Sequence, residues 1–169
     1  LADWPRAIWG EGPVLVPGCG RGHDAAVLGN AGHPALGLDL APTALEDARS
    51  RYSDSGNLEF LTGDFMDPVL ASSRGISAIW EHTCFCTLPP EHRGDYVAAA
   101  ARWLPVGARL IGVFYLDPKD DDGPPFRVSR EEIRMLFTPA FEIRRESVPT
   151  RSYPSRAGCE LLVEMVRTS

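Results

Sequence analysis

The chain has 169 residues, 44% hydrophobic and 24% charged, the balance of a globular domain with room for a sizeable core. Seventeen basic against 23 acidic residues leave a net charge of −6, which argues against broad binding to a nucleic-acid backbone. No apolar run approaches the roughly 20 residues that span a bilayer, and no signal-peptide pattern opens the chain, so no membrane partner is expected.

In chain order, VLVP (14–17) reads as a short buried strand that runs straight into Gly18, Gly20 and Gly22. DAAVLGNAG (24–32) has helical spacing and stops at Gly32. PALGLDL (34–40) is a second strand ending on Asp39, and PTALEDARSRY (42–52) is a helix with Pro42 suited to its first turn. LEFLTGDF (58–65) and ISAIWEH (76–82) give the third and fourth strands. The alanine-rich stretch 89–105, bounded by prolines, is the longest helix, and ARLIGVFYL (108–116) is a fifth strand apolar enough to lie inside a sheet. Continuous apolar strands separated by helices indicate a parallel sheet covered on both faces.

The last third changes character. A polar, proline-rich loop (117–128) leads to a helix over 129–137, where Ser129 and Glu132 have capping-box spacing. Two strands follow, FEIRRESV (141–148) and CELLVEMVR (159–167), with no helix between them, so they are expected to pair antiparallel. The fold class expected is α/β, a Rossmann-like sandwich. Its seven-stranded sheet is mostly parallel, with helices on both faces and an antiparallel pair at its C-terminal end. Residues 1–169 are expected to form a single domain without repeats.

Cys19, Cys84, Cys86 and Cys159 form no CxxC pair and are expected to be reduced thiols in a cytoplasmic protein. Cys84 and Cys86 lack a second ligand pair, and Asp120, Asp121 and Asp122 read as a solvated acidic loop, so no metal is expected.

Glycines between a first strand and a helix form a ligand-facing turn. The order here is GxGxG, whereas the dinucleotide fingerprint is GxGxxG and a Walker loop needs Gly-Lys-Ser or Gly-Lys-Thr. A carboxylate at Asp39, ending the second strand, can accept both hydroxyls of a ribose, or can cap the next helix. Asp64 can accept an adenine amino proton while Phe65 offers ring contact; the same triplet, GDF, also suits a plain strand-ending turn. In series, these groups lie on the C-terminal strand ends, where open α/β sheets bind ligands.

Together, LVPGCGRGHD, GLDLAPTALEDAR, GDF, WEHTCFCTLPPEHRGDYV and GPPFRVSREEIRMLF resemble the thiopurine and thiol/halide methyltransferase family, from about Val14 to the C-terminus. The resemblance implies a class I enzyme using S-adenosylmethionine, with S-adenosylhomocysteine as product. It places Gly18, Cys19 and Gly20 at the methionine end of the cofactor, Asp39 on the ribose, Leu40 beside the adenine, and Asp64 and Phe65 on the adenine edge and face. His82 falls where the family has arginine or tyrosine, close to cofactor and acceptor. Val16 stands where many class I enzymes begin the glycine motif with an acid. The family's N-terminal lid is expected to be missing at least in part, with Trp4 and Trp9 too near the first strand to match it.

The reaction so implied is in-line methyl transfer to a small acceptor, a thiol foremost, with halide or thiocyanate as the alternative. An NAD-dependent oxidoreductase and a non-catalytic cofactor-binding module are the readings from other classes. A thiol must lose its proton, and His82 suits that task with an ordinary pKa near 6.5, or else contacts cofactor or substrate. Glu81 cannot pair with His82 directly, because neighbours on a strand face opposite ways. Cys84 and Cys86 read as packing residues, His23 as shaping the glycine turn, and His33 and His92 as solvated. Phe126 and Arg127, past the fifth strand, are expected to border the acceptor pocket. Oligomeric state is not legible.

Overall fold

A computed structural model describes residues 6–53, 55–71, 74–118 and 122–169. Strands β1 (Val14–Pro17), β2 (Ala35–Asp39), β4 (Ala78–His82) and β5 (Arg109–Tyr115) are buried along almost their whole length. That pattern requires cover on both faces, and the helices provide it. β3 (Leu58–Thr62), at one edge, is only half buried.

With β6 at Phe141–Ser147 and β7 at Glu160–Arg167, the sheet order is β3-β2-β1-β4-β5-β7-β6. β1 to β5 run parallel. β7 inserts antiparallel between β5 and β6. The antiparallel pair is therefore as the sequence suggests, and β7 is also the strand that joins it to the parallel part. A register shift between Ile143 and Arg145 kinks the outer strand, a common way of blunting a sheet edge.

One face of the sheet carries α2 (His23–Asn30), where Ala25 and Leu28 pack with Val14, Val16, Ala78 and Trp80. The other carries α5 (Arg93–Trp103) and α6 (Arg130–Phe137), around Leu15, Ile79 and Leu110. Each fully buried leucine or isoleucine there contributes about 1.5–3 kcal/mol. α3 (Pro42–Arg51) starts with proline in its first turn, as its sequence implies.

Short elements escape the sequence pattern: α1 (Arg6–Trp9), α4 (Pro68–Ala71) and 3-10 turns at Phe85–Thr87 and Pro90–His92. The second of these turns takes up the expected start of α5. α1 also explains a correction at His33, which is buried rather than solvated. Trp9 at the end of α1 lies edge-on to its ring, centroids 6.2 Å apart. Trp9 itself is fully buried and packs edge-on to Trp80, so it is a core residue. Trp4 lies outside the described residues. His92 is exposed, as expected.

Ser129 caps α6 by accepting from the Glu132 backbone N–H at 3.0 Å. The Glu132 carboxylate is turned to Arg93, whose guanidinium is buried and 2.5 Å away. Half of the capping box thus serves a tertiary ion pair between α6 and α5.

Candidate active site

The C-terminal ends of β1 to β4 meet around a cleft of about 260 Å³. Gly18, Gly20 and Gly22 all have left-handed backbones, with φ of 58°, 52° and 76°. They differ in what occupies the space of the missing side chain. A Cβ on Gly18 would lie 2.8 Å from Cys84 Sγ, and one on Gly22 2.6 Å from the Phe60 ring. At Gly20 it would meet nothing within 4 Å. Two of the three glycines therefore accommodate the protein's own side chains, and only Gly20 opens onto free space.

Asp39 joins this loop to the next strand. Its Oδ2 accepts from the Gly20 N–H at 2.7 Å, and its Oδ1 from the Ala41 N–H at 2.9 Å, at the start of α3. Asp39 thus closes a turn onto Ala41, the N-cap residue of α3, which itself has no side-chain cap, and each carboxylate oxygen keeps lone-pair capacity for a further donor. Leu40, beside it, is 68% exposed and lines the cleft, as do Gly18, Asp64, Thr83 and Leu88.

Asp64 Oδ1 accepts from the Met66 N–H at 2.8 Å, which sets the turn after β3. Phe65 and Cys19 depart from expectation. The Phe65 ring is buried in the core, stacked on Trp103 at 6.2 Å and tilted against Tyr96 at 4.7 Å. Its carbonyl accepts from Trp103 Nε1, so the residue forms a wall of the cleft while its ring faces are taken by core aromatics. The Cys19 thiol points to Gly37, where a Cβ would sit 2.8 Å from the sulfur. Burial, helped by the Asp39 charge, pushes that thiol up to about 12.

β4 divides the site. Glu81, fully buried, faces α5: its carboxylate accepts from the Tyr96 hydroxyl and from the N–H groups of Cys84 and Phe85 at 2.8 and 2.9 Å. Burial raises its carboxyl pKa above the ordinary value, against the pull of these hydrogen bonds. His82 faces the opposite way, toward α2, so the two do not pair, as expected. Thr83 then turns the chain with φ 63°, a genuine outlier for a β-branched residue. His82 and Thr83 consequently line different clefts.

The cleft lined by His82 has about 660 Å³, with Trp80, Val113 and Leu162 as apolar walls, the buried Glu160 in its lining and residues 149–154 across it. His82 Nδ1 lies 2.6 Å from Asp24 Oδ2, in the first turn of α2, and Trp80 Nε1 donates to the same oxygen at 3.1 Å. The Asp24 hydrogen bond raises the His82 pKa above 6.5, outweighing burial. Burial alone would raise the Asp24 carboxyl, but the His82 and Trp80 hydrogen bonds hold it below its ordinary value.

Asp24 is the residue that sequence reasoning missed. It is 58 positions from His82, and no linear motif joins them. His23 Nδ1 lies 2.8 Å from the Tyr52 hydroxyl, a contact that ties the start of α2 to the end of α3. Cys84 and Cys86 are packing residues whose thiols burial pushes up, Cys86 to about 11. Phe126 and Arg127 line neither cleft. The Phe126 N–H donates to Cys86 O at 2.6 Å and Arg127 pairs with Asp117, which ties their loop to the 3-10 turn. Asp122 is exposed; Asp120 and Asp121 lie outside the described residues.

Comparison with known proteins accords with this geometry. The family model described as thiopurine S-methyltransferase matches residues 6–160. A thiopurine S-methyltransferase of Methylococcus capsulatus is 30% identical over 157 residues, 83% of this chain and 71% of its own. Thiocyanate methyltransferase 1 of Brassica oleracea is 28% identical over 156 residues, 87% of this chain and 68% of its own. The fold matches a SAM-dependent methyltransferase structure from Methanosarcina mazei with a TM-score of 0.82 at 16% identity, covering 99% of both chains. The chain therefore belongs to the thiopurine S-methyltransferase family, whose members depend on S-adenosylmethionine.

Proposed function

We propose that the chain methylates a small thiol, using S-adenosylmethionine held in the cleft at the ends of β1 to β4 and an acceptor entering the neighbouring cleft over His82. The observation that carries this reading is the division of the site at His82 and Thr83, consecutive residues that line the two clefts.

The donor groups suit the cofactor. Asp39 has acceptor capacity left for a ribose diol, and Gly20 leaves space beside it for the methionine end together with the Gly18 backbone. Cys19 contributes backbone only. Leu40 supplies apolar surface for the adenine, Asp64 an acceptor for its amino group, and Phe65 the wall behind it. Bound there, S-adenosylmethionine supplies an electrophilic methyl group on a sulfonium. The protein's part is alignment, exclusion of water and removal of the acceptor's proton. His82 is the group for that last task.

A thiocyanate methyltransferase among the relatives raises the alternative of an anionic acceptor. The acceptor cleft is lined by Asp24 and Glu160 and also by Arg151, and Arg156 pairs with Glu160 at 3.8 Å, so an anionic acceptor would meet charges of both signs there.

Calorimetric titration with S-adenosylhomocysteine, with NAD⁺ in parallel, tests the cofactor site; turnover with thiols, iodide and thiocyanate tests the acceptor. Binding of S-adenosylhomocysteine alone, with thiols the best acceptors, supports the proposal. No heat with S-adenosylhomocysteine sinks it, and binding without turnover leaves a cofactor-binding module in its place.

A further inference from the structure

The Asp24–Trp80–His82 constellation is more than an ion pair. Indole Nε1 can only donate, and an ionised carboxylate can only accept, so Asp24 Oδ2 receives both hydrogen bonds and His82 must carry a proton on Nδ1. The Trp80 ring, 5.9 Å from the imidazole and steeply inclined to it, packs along its side. Nδ1 being engaged, Nε2 sits on the opposite edge of a ring that lines the acceptor cleft.

We infer that Asp24 is a positioning residue, which locks His82 in the Nδ1-protonated tautomer and so presents Nε2 as the proton acceptor for a thiol. The inference rests on the thiol reading above for its chemistry, but its geometry stands without it. In the step, the S–H bond breaks, the proton goes to Nε2, and the electron pair stays on sulfur. The imidazolium so formed is stabilised by Asp24 and returns its proton to water after the product leaves. Asp24 touches neither substrate nor cofactor in this scheme; it acts through His82, as an orienting carboxylate does in other His-based sites.

The titratable groups facing His82 are Asp24 on α2, Glu81 behind it on β4 and Glu160 on β7, with Arg151 and Tyr153 across the cleft. The three carboxylates favour the protonated ring. The base is therefore active only as pH rises through a His82 pKa above 6.5.

The test combines nitrogen-15 NMR of the His82 ring in the full chain with thiol turnover by wild type and Asp24→Asn. The neutral wild-type ring is expected to be protonated on Nδ1 and to titrate above an ordinary histidine, and Asp24→Asn is expected to lower that midpoint. Turnover of an alkyl thiol by Asp24→Asn should fall roughly 100-fold. A thiol acidic enough to be ionised in the assay should lose less than about 10-fold, since it has no proton to give. A wild-type ring protonated on Nε2, or equal losses with both thiols, overturns the inference. If wild type methylates neither thiol, the acceptor assignment falls, and the ring tautomer alone decides this inference. If Asp24→Asn does not fold, the wild-type ring spectrum decides it.

Discussion

The Gly20 backbone N–H donates to Asp39 at 2.7 Å, so the loop after β1 and the acid at the end of β2 form one unit. Asp39→Ala removes more than a ribose acceptor: it also leaves the N–H groups of Gly20 and Ala41 without their partner. The expected result is loss of S-adenosylhomocysteine affinity by at least about 10-fold, together with about 1–2 kcal/mol of stability. Calorimetry and thermal melting read the two effects separately. Asp39→Asn keeps one acceptor oxygen and should fall between wild type and alanine on both.

The three glycines of the loop are expected to respond differently. Gly20→Ala meets no neighbour, so its cost to stability is the left-handed backbone alone, roughly 1–2 kcal/mol, while its new methyl group occupies the space left for the cofactor. Gly22→Ala adds a collision with the Phe60 ring, and overpacking of that kind costs about 1–3 kcal/mol more. Melting temperature should therefore fall further in Gly22→Ala. The loss of S-adenosylhomocysteine affinity per degree of melting temperature lost should be greater in Gly20→Ala.

Much of this was legible in the sequence because its signals are local. Apolar runs stopping at Gly18, Asp39 and His82 mark strand ends, and strand ends are where the clefts formed. Ser129 announced the start of α6 for the same reason. What escaped notice depends on distant partners. The Phe65 ring could not be assigned to the core without Trp103 and Tyr96, nor could His33 be buried without α1. Nothing local in the sequence links Asp24 to His82; β4 brings the two together. The Phe126–Arg127 loop, expected to border the acceptor pocket, is held instead by Cys86 and Asp117.

Glu81 and His82 give stability opposite ends of one pH slope. Burial raises the Glu81 carboxyl, so its contribution is complete below its ordinary 4.5 and is lost as pH rises through the higher folded value. His82 is raised by Asp24, so its contribution is complete below 6.5 and is lost as pH rises through its own folded value. Melting temperature should fall with rising pH in both windows. Glu81→Gln should flatten the lower one and His82→Gln the upper. Glu81→Ala is a different perturbation: it leaves the Tyr96 hydroxyl and two backbone N–H groups unpaired, at about 1–3 kcal/mol each.

Thr83 offers the sharpest separation of stability from function. Its left-handed backbone costs roughly 1–2 kcal/mol, and it turns the chain at the point where His82, set by β4, lines one cleft and Thr83 and Cys84 border the other. Glycine adopts the same φ without strain, although its extra freedom in the unfolded chain takes back up to about 1 kcal/mol. Thr83→Gly is therefore expected to leave melting temperature unchanged or to raise it by a few degrees. It should nonetheless lower methyl transfer, because the turn loses the side chain that lines the cofactor cleft and the stiffness that aims its neighbours. A more stable protein with a lower kcat is the expected pair of results from melting and turnover assays. A drop in melting temperature of more than about 4 °C would mean that Thr83 contributes packing that outweighs its backbone cost.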